Sequence, residues 1–280
     1  MRIAVAGSGA MARYISDEFP KYVHEVVILT RSWKEVFANR AHIKQVVTNY
    51  SVASLTAAIG NCEVLISVIL SYSADFIDVH RNLIQACLAS PQCKRFIPSE
   101  YGGITRTELQ WTLVSVGWLA DYVVPSKNRY LVGIGESYPV NLADKHVIIP
   151  GTGQDPVDLT AARDLATALA LLVKATTWEP YTYISGVKTC WNELAELVQQ
   201  HYPDTNIKHL GLGQILHTIQ KSEDEDEILA AQYQMFAPLR AGSLDPVKVE
   251  EHRRKYFPGV NFRSPKELIV AAKCDGSVIV

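Results

Sequence analysis

An apolar run that breaks into glycines and then into a helical pattern constrains this chain most. Arg2-Ile-Ala-Val-Ala6 suits a buried strand. Gly7-Ser8-Gly9-Ala10-Met11-Ala12 follows at once and matches G-x-G-x-x-G/A. Residues 9–19 then carry helical spacing until Pro20 stops it. The alternation continues. Apolar runs at 24–30, 43–47, 62–70 and 95–98 are separated by helical stretches at 52–59 and 74–89. Ser51 stands as N-cap of the first stretch and Gly60 as its stop. Strands and helices alternating at this rhythm predict an α/β fold, a Rossmann-type doubly wound parallel sheet.

The second half is less regular. Strands are expected at 109–116, 147–149, 181–185 and 207–210, and helices at 160–173, opened by Thr160, and at 191–201. Residues 122–140 read as a loop, and the five acids Glu223 to Glu227 as the solvated start of a helix. With 280 residues, the expected division is an NAD(P)-binding Rossmann domain at 1–120, completed by parts of 146–185. A smaller α/β substrate region takes 121–280.

Composition excludes several partners. Lys and Arg number 27 and Asp and Glu 29, a net charge of −2, which argues against nucleic acid or an acidic membrane surface. The longest apolar stretch, 165–173, is about half of the ~20 residues a bilayer-spanning helix needs. Residues 3–12 are too short for a signal core and run into Arg13 and Asp17. Five cysteines at irregular spacing give no disulfide framework. A soluble, reduced, cytoplasmic protein is expected.

The glycine motif predicts a cofactor site. Gly7 permits the tight turn, Gly9 admits a pyrophosphate against the backbone, and Ala12 keeps the helix close to the strand. Ser8 and Met11 complete the loop, and the free N–H groups of the first helical turn face the phosphates. The second strand ends in Leu29-Thr-Arg-Ser32, without the acid that holds an unphosphorylated ribose. Arg31 offers a planar fork to a 2′-phosphate, Thr30 and Ser32 offer hydroxyls, and Lys34 adds charge. NADP(H) is therefore the expected cofactor. Further contacts are expected from Ser67 and Ile69 after the fourth strand, and from Pro98, Ser99 and Glu100 after the fifth.

Lys94-Arg-Phe-Ile-Pro-Ser-Glu-Tyr-Gly102 resembles the "RFIPSEFG" segment of the NmrA-like, isoflavone-reductase-like branch of atypical short-chain dehydrogenases. Asn49-Tyr50-Ser51 resembles that family's "D-Y" turn, with Asn in place of Asp. Trp111 to Trp118 with Asp121-Tyr122 is similar to a segment of fungal members. Ile149-Pro-Gly-Thr-Gly153 and Ala162-Arg-Asp164 continue the likeness, which covers roughly residues 1–200. The glycine motif departs from the family's commoner G-x-x-G-x-x-G. The resemblance implies the Rossmann fold and a nicotinamide cofactor. It covers NADPH-dependent reductases of phenylpropanoids and fungal secondary metabolites, and regulators that bind a dinucleotide without turning it over.

The resemblance also implies a catalytic Lys on a helix after the "PSEFG" strand. Here only Gly102 to Thr107 precedes the next predicted strand. A parallel crossover takes about a dozen residues or more, so residues 109–116 pair in an unusual direction, leave the main sheet, or follow a skipped segment. The last, through splicing or a gene-model difference, is the favoured expectation. No Tyr stands four residues before any Lys, so the usual short-chain dehydrogenase pair is missing. The catalytic group is unknown, with Tyr101 and Lys127 the remaining candidates. Cys87 and Cys93 read as isolated, without metal-ligand spacing. Trp118 and Tyr122, with Trp111 and Tyr130 nearby, could line a pocket for an aromatic or polyketide-like small molecule. Two functions stay open. One is an NADPH-dependent reductase of an aromatic or secondary-metabolite carbonyl or enone. The other is a non-catalytic redox-sensing regulator or shortened inactive isoform, with a protein partner or a homodimer face.

Overall fold

The computed structural model describes residues 1–22, 24–71, 75–99 and 109–280. Two compact units emerge. The first comprises Met1–Ser115, Ala166–Thr182 and Arg254–Pro258, and the second Val116–Leu165, Tyr183–Arg253 and Gly259–Val280.

The first unit begins with β1 (Arg2–Ala6), α1 (Ala10–Glu18), β2 (Glu25–Thr30), β3 (Ile43–Val47), α2 (Val52–Ile59) and β4 (Val64–Ser67). It continues through α3 (Asp75–Ala89), β5 (Arg95–Ile97), β6 (Gln110–Trp111) and β7 (Leu113–Ser115). The first six strands form one sheet in the order β3-β2-β1-β4-β5-β6, and every pairing in it is parallel. Ile3, Val5, Ile28, Leu65 and Ile66 are fully or almost fully buried. Strands with apolar side chains on both faces stay in a sheet covered on both sides. Helix α2 starts and stops where its sequence predicts. Ser51 Oγ accepts from Ser54 N at 3.3 Å, and Gly60 ends the helix with φ +52°. Strand order reverses between β1 and β4, the switch point at whose carboxyl edge such sheets bind ligands.

One expectation about this sheet is corrected. The short connection after β5 does not prevent a parallel neighbour, because β6 pairs parallel to β5 with Arg95 opposite Gln110 and Phe96 opposite Trp111. The pairing is so short that the chain has little distance to retrace, at ~3.3 Å per residue. Residues 98–109 connect β5 to β6 in sequence, and 100–108 of them lie outside the described residues. Arg95 fastens this corner. Its Nε donates to Gln110 Oε1 at 2.8 Å, and its two Nη atoms donate to the carbonyls of Val173 and Ala175 at 2.6 Å each.

Beyond Ser115 come β8 (Trp118–Leu119), β9 (Val140–Asn141), β10 (His146–Pro150), β11 (Pro156–Thr160), α4 (Ala162–Leu172), β12 (Tyr181–Tyr183) and β13 (Val187–Cys190). They are followed by α5 (Trp191–His201), β14 (Asn206–Leu210), α6 (Leu212–Lys221), α7 (Glu225–Gln234), α8 (Pro246–Tyr256) and α9 (Pro265–Cys274). The strand expected at 109–116 is in fact two strands. At Thr112 the chain leaves β5, and β7 pairs with β12 instead. Thr112 Oγ1 lies 2.8 Å from Thr182 Oγ1, and Leu113 N donates to Pro180 O at 2.9 Å.

The second unit holds two three-stranded sheets, β14-β10-β9 and β13-β11-β8, around a core that includes Trp191, Tyr138, Leu159 and Leu268. Strands β11 and β13 were not expected. Thr160 does not open a helix. It closes β11, and its hydroxyl lies 2.8 Å from the Val116 carbonyl. Helix α4 begins two residues later, where Asp121 Oδ2 accepts from Ala162 N at 2.8 Å. A carboxylate remote in sequence caps a helix whose own leading residues lack a cap. The acidic run behaves as predicted, with Asp224 as N-cap of α7 and Glu225, Asp226 and Glu227 in its first turn.

Candidate functional site

The site is built at the carboxyl ends of β1, β2 and β4. The turn after β1 is closed by Gly7, whose N–H donates to Leu29 O at 3.1 Å and whose φ is +111°. A Cβ there would lie 3.2 Å from the carbonyl carbon, carbonyl oxygen and Cγ2 of Val68. Both the conformation and the space call for glycine.

Gly9 does a different job. As N-cap of α1 it has φ −82°, which any residue can adopt, and no side chain caps the helix. A Cβ on Gly9 would meet no atom within 4 Å. The first turn of α1 carries no acidic residue. Its leading N–H groups lack intrahelical acceptors by position, and the positive end of the helix dipole lies beside the open space at Gly9. Ala12 is fully buried, as the close packing of α1 on the sheet requires, while Met11 is half-buried. These features fit a pyrophosphate.

The end of β2 is tied to the glycine loop. The Thr30 hydroxyl lies 3.1 Å from Ser8 Oγ and 2.9 Å from Ser32 O. Thr30 itself is buried, so this hydroxyl serves the loop rather than solvent. Arg31, Ser32 and Lys34 are exposed. Lys34 N donates to Gln45 Oε1 at 3.0 Å.

The position that residue spacing did not single out is Tyr50. Its backbone has φ +61°, its hydroxyl donates to Leu29 O at 2.7 Å, and burial pushes its phenol pKa up. The Leu29 carbonyl thus accepts from both Gly7 and Tyr50. The Arg31 guanidinium lies 5.6 Å from the Tyr50 ring centroid, and its Nη2 is 3.3 Å from Asp75 Oδ2. The "D-Y" resemblance pointed to this turn without giving its role.

At the ends of β4 and β5 the hydroxyls are engaged. Ser67 Oγ is 2.9 Å from His80 Nε2, and His80 Nδ1 is 2.9 Å from Phe76 O. A carbonyl can only accept, so Nδ1 carries the proton and Ser67 donates to Nε2. Burial lowers the His80 pKa, opposed by the Phe76 hydrogen bond, which suits this neutral form. Ser99 Oγ donates to Ile69 O at 2.6 Å, joining the two strand ends beside buried Pro98. Glu100 and Tyr101 lie outside the described residues.

The candidates of the second unit stand in an aromatic cluster at the edge of its core. Trp118 meets Trp191 and Tyr138 edge-on, with ring centroids 5.5 and 5.7 Å apart. It also meets Tyr233 at 6.0 Å and Phe236 at 6.1 Å. Tyr122 packs on Tyr138 at 4.5 Å and carries Arg129 at 4.6 Å from its ring centroid. Lys127 is exposed in a short turn, Ser126–Asn128.

Cys87 and Cys93, read as isolated, are brought together. Their Sγ atoms are 3.4 Å apart and both residues are fully buried, because the end of α3 packs beside the start of β5. Among the described residues no group of three or more His, Cys, Asp or Glu could hold a metal.

A parallel sheet with this strand order, a positive-φ glycine turn and an uncapped helix start define a Rossmann-type protein of the reductase fold. Solved structures agree on the fold. A ternary complex of leucoanthocyanidin reductase from Vitis vinifera superposes with TM-score 0.72 at 16% identity, covering 98% of this chain and 100% of that one. AtPrR2 with NADP+ and (+)pinoresinol gives 0.75 at 17% identity, covering 96% and 97%. No family model matches the chain. The oxidoreductases swnR of Arthroderma benhamiae and of Metarhizium robertsii are each 43% identical to it, over 95% of this chain and 96% of theirs. The chain belongs to the family of these fungal swnR oxidoreductases. Among its described residues, no helix is long and apolar enough to cross a membrane.

Proposed function

We propose that this protein is an NADPH-dependent reductase of the isoflavone-reductase-like, NmrA-like kind, acting on an aromatic or secondary-metabolite carbonyl or enone. The observation that carries the reading is the glycine loop. Its Gly9 backbone is open where a pyrophosphate would lie, and it belongs to a chain 43% identical to oxidoreductases over 95% of its length. Gly7, Ser8, Gly9, Met11 and Ala12 would hold the pyrophosphate, and Arg31 and Ser32 the ribose phosphate. Ser67, Ile69, Pro98 and Ser99 would border the rest of the dinucleotide, together with Glu100, the next residue in the chain. The cofactor supplies a hydride when bound. Trp118 and Tyr122 are the substrate contacts of this reading, and Lys127 and Tyr101 its candidate proton donors. The naming of AtPrR2 with pinoresinol and of a leucoanthocyanidin reductase among proteins of this fold supports a flat aromatic substrate.

One observation favours the second reading, a shortened or sensing form. The alignment with swnR runs over 293 positions, more than the 280 residues of this chain, so the relatives carry residues with no counterpart here. Together with the missing Tyr/Lys pair, this supports a shortened form that binds the dinucleotide without turning it over.

The purified chain, loaded with NADPH, decides between them against a panel of aromatic ketones and enones. A reductase oxidises NADPH with at least one of them. Binding without turnover across the panel, with different affinities for NADPH and NADP+, would replace the reductase by the sensor.

A further inference from the structure

Arg31 is held on one face and at one corner, leaving part of its fork open. Its guanidinium lies 5.6 Å from the Tyr50 ring centroid. Tyr50 is itself fixed, by its hydroxyl on Leu29 O at 2.7 Å and by Asn82 Nδ2 on its carbonyl at 3.1 Å. Asp75, the first residue of α3, takes Nη2 alone at 3.3 Å. Among the described residues Arg31 makes no other hydrogen bond or ion pair, so Nε and Nη1 keep their hydrogens for a ligand. The two side chains are 66% and 55% exposed, and an exposed pair of this kind separates at little cost.

An anion binding this fork meets an attractive guanidinium that already has a carboxylate oxygen 3.3 Å from its Nη2. A phosphate dianion is repelled by that carboxylate. A ribose hydroxyl is not, since a carboxylate accepts its hydrogen bond in sites that take the unphosphorylated dinucleotide. We propose that Asp75 is a specificity-determining residue that narrows the preference of this protein for NADP(H) over NAD(H). It orients Arg31 while taxing the phosphate that Arg31 attracts. The inference rests on the reading of Arg31 as the ribose-phosphate contact.

Calorimetric titration of the full chain with NADP+ and NAD+ tests it, in the wild type and in Asp75→Asn, Asp75→Ser and Arg31→Gln. Asparagine keeps the acceptor and removes the charge. Serine removes the carboxylate while retaining a residue suited to a helix start. In both, the ratio of NADP+ to NAD+ affinity should rise about fivefold, with a smaller rise at high salt. Arg31→Gln should weaken NADP+ by about tenfold or more. If Arg31→Gln does so while both Asp75 variants leave the ratio within about twofold of the wild type, the role of Asp75 is overturned and the cofactor reading stands. If Arg31→Gln leaves NADP+ binding unchanged, the cofactor reading fails and the role of Asp75 falls with it.

Discussion

The backbone of Val68 closes on Gly7, so that a side chain on that glycine would begin 3.2 Å from the Val68 carbonyl carbon and oxygen. Two strand ends meet there, and the glycine also has φ +111°. Gly7→Ala should therefore destabilise the fold by about 1–3 kcal/mol. Gly9→Ala separates folding from binding, because Gly9 has an ordinary φ of −82° and open space before it. Its thermal melt should match the wild type while NADPH affinity drops about tenfold or more. A Gly9→Ala protein that binds NADPH normally would remove this backbone from the phosphate site.

Asp121 is fully buried and caps α4 across 41 residues of sequence. Asp121→Ala leaves the Ala162 N–H without its acceptor inside the protein. Denaturant unfolding should show a loss of about 1–2 kcal/mol. A change below about 0.5 kcal/mol, the size of an ordinary surface substitution, would mean that the cap is dispensable.

Two buried imidazoles tie stability to pH. Burial lowers the pKa of His24, against the pull of the Ala170 carbonyl, and that of His80, against the pull of Phe76. Both start from an ordinary 6.5. Below that value the unfolded chain takes up protons that the folded chain still refuses. The stability contributed by the neutral rings is therefore complete above pH 6.5 and is lost as pH falls through the depressed folded values. Replacing His80 with Asn should flatten part of the acid slope in chemical denaturation. Parallel slopes for variant and wild type would place the proton uptake elsewhere.

Four of the five cysteines, Cys62, Cys87, Cys93 and Cys190, are buried, and Cys274 is exposed. Burial pushes the Cys62 thiol up to about 12. The hydrogen bond with Cys93, and then burial, push that of Cys87 up as well. Thiolates are the reactive form, so a thiol reagent should modify one cysteine quickly in the native protein, identifiable as Cys274 by peptide mass. All five should react after unfolding. Rapid native labelling of Cys87 or Cys93 would contradict their burial.

Much of the first unit was legible because its signals are local. Ser51 and Gly60 bracket α2 in the chain as they do in the fold, and the glycine motif sits between β1 and α1 as its spacing requires. The misreadings fall where pairing partners are remote. Thr160 looked like a helix start because nothing near it shows that it pairs in β11, and residues 109–116 looked like one strand because Thr112 shows no sign of Thr182. The connection after β5 suggests no parallel neighbour because a sequence does not reveal that β5 and β6 pair over only Arg95–Gln110 and Phe96–Trp111.

The sequence alone determined the α/β class and the strand–glycine–helix entry, both properties of a few neighbouring residues or of a simple period. Tertiary structure decided what surrounds them. It placed Asp75 against Arg31 across 44 residues, Tyr50 beneath that same guanidinium, and Cys87 beside Cys93. The physical reason is that a parallel sheet gathers its loops at one edge in the order of its strands, not in the order of the chain. Which charge faces Arg31 is therefore fixed by where β2 and α3 meet, and no local pattern encodes that meeting.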